Sequence, residues 1–136
     1  MDFNTSMTIA ASGMRTQSER MKIIAENIAN ANSTAATTGG DPYRRQIPTI
    51  KSEFDRQLGA TMVAAGKPLE DMSDFRSQYD PGNPAADKQG YVKLPNDNSL
   101  VEIMDMREAQ RSYEADLTVM DATKTMMAHT VELLNK

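Results

Sequence analysis

Apolar and small side chains recur at helical spacing along two long stretches of the chain, and the residues between those stretches follow a different pattern. From Met7 to Asn32, the positions Met7, Met14, Met21 and Ile28 fall seven apart, and Ala10, Gln17, Ile24 and Ala31 occupy the offset positions. That spacing draws one narrow seam along an α-helix. The opposite flank carries Arg15, Glu19, Lys22 and Glu26, whose three- and four-residue steps suit ion pairs on a solvated face. A helix over these residues is about 39 Å long. Such a thin stripe cannot be the centre of a compact core, so the pattern predicts a partner of similar length.

The C-terminal part supplies one. Ser99-Leu100-Val101-Glu102 has capping-box spacing, in which the hydroxyl and the carboxylate each serve the other residue's backbone donor. A helix is predicted from there to about Leu134. Met106, Gln110, Tyr113, Leu117, Met120, Lys124, Met127, Val131 and Leu134 alternate four- and three-residue steps, a second heptad seam with polar breaks at Gln110 and Lys124. The two seams predict an antiparallel, coiled-coil-like pair. The second helix is the longer, which leaves its Met126-Met127 end for a neighbour.

Local signals refine the first helix. Asn4, Thr5 and Ser6 are candidate N-caps, since each offers a side-chain oxygen to an orphan backbone N–H. Gly13 costs about 1 kcal/mol relative to Ala inside a helix, which points either to a bend beside Ser12 or, the reading favoured, to another backbone approaching closely. Asn27, Asn30 and Asn32, separated by small residues, predict the stop.

Between the helices the chain changes character. Ser33 to Asp41 is a linker by composition, closed by Pro42. Tyr43, Ile47, Ile50, Phe54 and Phe75 are spaced like short strands, with Pro48 confining its strand to an edge. Phe54, Leu58 and Met62 also share a helical face, so Ser52 to Ala65 fits a strand or a helix. Asp80-Pro81-Gly82-Asn83-Pro84 is a strong turn, and Gly90 to Leu94 a short strand before Pro95. The fold class expected is mainly α: long N- and C-terminal helices as an antiparallel pair, with a small irregular, β-rich middle. The corresponding segments are 1–32, 33–98 and 99–136.

Composition narrows the function classes. Aromatics make up 5% of the chain, Trp is absent and mean hydropathy is -0.57, so the bulky side chains of a single large core are scarce. Eleven methionines partly replace them and suit surfaces that pack against more than one neighbour. The net charge of -4 and the scatter of basic residues, apart from Arg44-Arg45, disfavour nucleic-acid binding. With no cysteine there is no thiolate chemistry or disulfide. No apolar run is long enough to insert in a membrane, and the N-terminal residues lack the basic start and apolar block of a secretory signal. His129, the one histidine, sits on a predicted helix near Lys124 and Glu132 with no oriented partner. The Asp and Asn residues near 80–98 do not follow an EF-hand ligand spacing. No phosphate loop, nucleophile elbow or metal-ligand spacing is present. No catalytic residue and no cofactor is expected.

Several motifs then carry a family resemblance. Ser12-Gly13-Met14, Gln17, Arg20-Met21 and Ile24 to Asn32 resemble the N-terminal signature of bacterial flagellar rod and hook axial proteins. Gly40 to Arg45, Tyr79-Asp80-Pro81, Asn83 to Asp87, Gly90 to Lys93, Pro95-Asn96, Leu100-Val101-Glu102, Glu108-Ala109 and Arg111 to Ala115 resemble the proximal-rod members of that family. The likeness covers nearly the whole chain, with the motifs in the family's order. Asp97 departs from it, standing where an apolar residue is usual, and Val63 to Ser73 is less strand-like than the family pattern. The resemblance implies a structural subunit of the flagellar basal body, exported without a cleaved signal through the flagellar type III apparatus and assembled in the periplasm. It also implies partners: other proximal-rod subunits, the adaptor at the export gate, the distal rod protein and further copies of the chain. Met7, Gly13, Met14, Met21, Ile24, Ile28, Asn30, Tyr113, Leu117, Met120, Met127, Val131 and Leu134 are the expected assembly positions. A soluble helical adaptor or export chaperone is the competing class, but such a protein has no need of a β-rich middle.

Overall fold

The computed structural model describes residues 2–134; Met1 and residues 135–136, at the outer ends of the terminal segments, lie outside the described residues. The heptad-patterned stretches are helical, α1 over Phe3–Asn30 and α2 over Ser99–Leu134. Between them run six short strands: β1 Gln46–Ile47, β2 Ile50–Asp55, β3 Ala60–Ala65, β4 Leu69–Glu70, β5 Arg76–Tyr79 and β6 Tyr91–Leu94. They pair as three antiparallel two-stranded ribbons, β1 with β4, β2 with β3 and β5 with β6. The fold is the one expected, a mainly helical chain with a β-rich middle.

Both helix starts differ from expectation in the capping residue. Asp2 caps α1, its Oδ1 accepting the Thr5 N–H at 2.7 Å, so the helix begins ahead of Asn4, Thr5 and Ser6. At α2 the cap is Asn98, whose side chain accepts the Leu100 N–H at 3.1 Å and whose backbone carbonyl accepts the Glu102 N–H. The Glu102 carboxylate does not close a capping box because long-range partners hold it. At its C-terminal end α1 stops at Asn30, whose Nδ2 donates to the Glu26 carbonyl at 2.8 Å. Arg76 donates to the Ala31 carbonyl at 3.0 Å, placing a cation where the helix dipole favours one.

The chain divides into two compact units. The first comprises residues 2–21, 49–67 and 107–134. Here Ser52 to Ala65 resolves as a hairpin, β2–β3, because Gly59 at the tip takes φ 61°, a conformation open to glycine. Ala60, Met62 and Ala64 turn inward along α1, with Ala60 buried. Ile50, Phe54 and Val63 lie exposed on the outer face, Phe54 to 63%. The helices run antiparallel, with the Asp116 carboxylate packed on Gly13 and Arg20 bonded to Glu108 at 3.2 Å. Thr5, Ala10, Gly13 and Thr16 of α1 and Ala109 and Thr123 of α2 are buried. These side chains are small, which lets the backbones approach.

The second unit comprises residues 22–48 and 68–106. Its apolar core is Ile24, Ala31, Ala85 and Val92, with Pro95. Tyr79 and Tyr91 meet edge to face at 5.3 Å across the β5–β6 ribbon. Gly90 admits that pair: its φ is 84°, and a Cβ there would stand 2.9 Å from the Tyr79 ring. The Asp80–Pro84 turn forms as expected, the Asn83 N–H donating to the Asp80 carbonyl.

Candidate assembly surfaces

The sequence-predicted positions divide by exposure. Gly13 and Ile24 are buried, and Met7, Met14, Met21, Ile28, Asn30, Tyr113 and Met120 are half-buried. Leu117, Met127, Val131 and Leu134 are exposed, the last to 80%. Of the offset row, Ala10 and Ile24 on α1 and Ala31 just past its end are buried and Gln17 is half-buried, with the methionine row on its shoulder. On α2 the heptad row facing inward is Glu102, Ala109, Asp116 and Thr123, next to the apolar row that begins at Met106. The apolar row is thus largely free, and Val119, Met126 and Leu133 extend it.

Register explains how much of α2 is left over in the first unit. Gly13 lies opposite Asp116 and Arg20 near Glu108. Continued back along α1 to Phe3, the same antiparallel pairing arrives near Met126. The turns from Met127 to Leu134 therefore run past the end of α1, carrying Met127, Val131 and Leu134 on one helical face. Their exposure is that of a surface with no partner among the described residues of its own unit.

The second unit holds a polar knot that the periodicity did not reveal. Asn27 is fully buried: its Nδ2 donates to the Gln46 carbonyl at 2.8 Å and to Glu102 Oε2 at 3.1 Å, and its Oδ1 accepts from the Tyr43 hydroxyl and the Gln46 N–H, each at 2.9 Å. Arg45 Nε donates to Glu102 Oε1 at 2.6 Å, a charge-assisted bond that fixes the start of α2 on the strand segment. Asp71, Asp105 and Asp97 surround the same guanidinium at 3.5, 3.8 and 3.9 Å. Glu102, followed by Asp71 and Asp97, raises the Arg45 pKa against the opposing effect of burial. Arg44 turns the other way, lying 4.2 Å over the Phe75 ring and donating to the Asp71 and Ser73 carbonyls. The signal for this knot was the adjacent Arg44-Arg45 pair in a chain of otherwise scattered bases.

Nothing in this arrangement pairs a nucleophile with a base. His129 is exposed and faces Glu132 at 3.5 Å, a surface contact. What the geometry offers instead is buried polar fastening inside the second unit and open apolar rows on α2 and on the hairpin. Long terminal helices with short β ribbons between them in the chain, and exposed apolar rows, are the architecture that the resemblance to flagellar axial proteins implies.

Comparison with known proteins agrees. Residues 7–36 match the family described as "Flagella basal body rod protein", and residues 88–133 match "Flagellar basal body rod FlgEFG protein C-terminal". The chain is 52% identical over 126 residues to the flagellar basal-body rod protein FlgC of Agrobacterium fabrum, covering 93% of this chain and 91% of that one. It is 36% identical to the FlgC protein of Bacillus subtilis, covering 94% and 95%, and 34% identical to that of Salmonella typhimurium, covering 92% of each. The chain belongs to the FlgC family of flagellar basal-body rod proteins, structural subunits of the basal body.

Proposed function

We propose that the chain builds the proximal part of the rod by packing the exposed apolar row of α2, Leu117, Met127, Val131 and Leu134, against neighbouring subunits. The observation that carries this reading is the overhang: two turns of α2 with an apolar face continue past the end of α1 with no partner among the described residues of the first unit. An interface between unlike surfaces generates an open helical stack, the arrangement a torque-bearing rod needs. Gly13, Ile24 and the half-buried methionines Met7, Met14 and Met21, with Ile28, Asn30, Tyr113 and Met120, hold the helices in shape and border the contact. The exposed hairpin row Ile50, Phe54 and Val63 adds a second apolar surface.

The neighbours are further copies of the chain, other proximal-rod subunits, the adaptor at the export gate and the distal rod protein. The chain reaches the periplasm through the flagellar export apparatus without a cleaved signal. Met14→Asp with Met21→Asp should abolish rod assembly, and normal swimming of that variant counts against the helical seam. A cleaner test of the α2 row is Val131→Asp with Leu134→Asp in cells lacking the native chain. Both residues are exposed, so the protein accumulates normally while swimming is lost; full swimming would overturn the reading.

A further inference from the structure

Asp97, in the loop between β6 and α2, has a fully buried side chain, and neither carboxylate oxygen makes a hydrogen bond among the described residues. Its neighbours are better provided for. Glu102 takes the short bond from Arg45 Nε; Asp71 accepts the Ser73 N–H at 2.9 Å; Asp105 is partly open to solvent. Asp97 Oδ1 comes no nearer than 3.9 Å to the same Nε, already committed to Glu102.

The charged groups around it come from four directions. Arg45 precedes β1, Arg76 lies on β5, Asp71 follows β4, and Glu102 and Asp105 lie on α2. Arg76 spends its donors on the Pro95 and Ala31 carbonyls. One guanidinium thus serves four carboxylates, and Asp97 is the one that is both fully buried and without a hydrogen bond among the described residues. A buried charge in that position is costly, and a carboxyl relieves the cost by binding a proton.

We propose that Asp97 is a proton-binding group of the second unit, taking up a proton in the folded state and making the stability of that unit pH-sensitive. Burial, and then the negative charge of Glu102, push its pKa above the ordinary aspartate value of 3.8, while the Asn98 N–H, Arg45 and Arg76 act in the opposite direction. A carboxyl that holds its proton more tightly when folded than when unfolded weakens the fold at neutral pH. That penalty is relieved as pH falls through the folded-state titration toward 3.8, and below 3.8 it no longer changes. The direction is opposite to that of a carboxylate held in an ion pair.

Two measurements on the full chain test this. In a carbon-detected NMR titration, the Asp97 carboxyl should titrate with a midpoint above 3.8; a midpoint at or below 3.8 overturns the proposal, whatever any variant does. Asp97→Asn keeps the shape and removes the charge. Its melting temperature should exceed that of the parent chain by several degrees near neutral pH, with the gap closing as the solution is acidified. A variant less stable at neutral pH by an amount independent of pH would also overturn it. Asp105→Asn, at a partly exposed site beside the same arginine, should show no such closing gap, and an equal gap there would assign the effect to the cluster's charge rather than to Asp97.

Discussion

Removing the Glu102 carboxylate leaves the Arg45 guanidinium and the Asn27 amide without their shared acceptor, and both sit at buried or nearly buried positions. Glu102→Ala should therefore destabilise the chain by roughly 3 kcal/mol, the cost of breaking a buried pair from one side, read as a lowered denaturant midpoint. Glu102→Gln, whose one amide oxygen can keep the Asn27 bond while Arg45 loses both the opposing charge and its acceptor, should fall between the parent chain and Glu102→Ala. Gly13 gives a second residue-level prediction. A Cβ there would overlap the Asp116 carboxylate, so Gly13→Ala forfeits the helix-propensity gain of about 1 kcal/mol expected of that change. In an Asp116→Ala background the gain should reappear, and a double-mutant cycle measures the difference. Gly13 was legible as a point of close approach, because a helix interior gives a glycine few other uses; what closes on it is a side chain and not a backbone. Asp97 was legible as a departure from an apolar pattern. Asn27 was not, since its four hydrogen bonds come from Tyr43, Gln46 and Glu102, and separation along the chain hides such partners from any local pattern.

At the scale of elements, the helices were readable from heptad spacing and the caps were not. Asp2 stands two residues ahead of Asn4 and Asn98 one ahead of Ser99, equally good amide and hydroxyl candidates, and tertiary demand on Glu102 decides the second case. The Asp2 carboxylate titrates below its ordinary range because the Thr5 N–H bonds to it. Its contribution to the first turn is therefore present at neutral pH and lost as pH falls through its folded-state titration, and the protection of the Thr5 amide relative to its intrinsic exchange rate should fall in acid. The hairpin over Ile50–Ala65 was ambiguous because Phe54, Leu58 and Met62 satisfy both periods; the left-handed Gly59 decides for the turn. The α2 seam shows a further limit. Apolar periodicity identifies a row that needs covering, but the row facing α1 is the adjacent one, where Ala109 and Thr123 are small enough for close packing. The larger apolar residues are correspondingly left outside. The Val131→Asp, Leu134→Asp pair should then leave the far-UV spectrum of the purified chain unchanged, which separates an assembly surface from a folding core.

For the whole molecule, two kinds of surface have two kinds of role. Polar fastening around Arg45 and Asn27 fixes the second unit from within, where hydrogen bonding specifies geometry. Apolar rows on α2 and the β2–β3 hairpin remain exposed, as in a subunit completed by its neighbours. Membership of the FlgC family places the chain in the basal-body rod, and the overhanging end of α2 supplies a physical reason why it builds a stack. The most direct measurement is electron cryomicroscopy of basal bodies from cells lacking this chain, beside cells carrying the Val131→Asp, Leu134→Asp variant. The account predicts a rod missing from its base in both; a complete rod in either would contradict it.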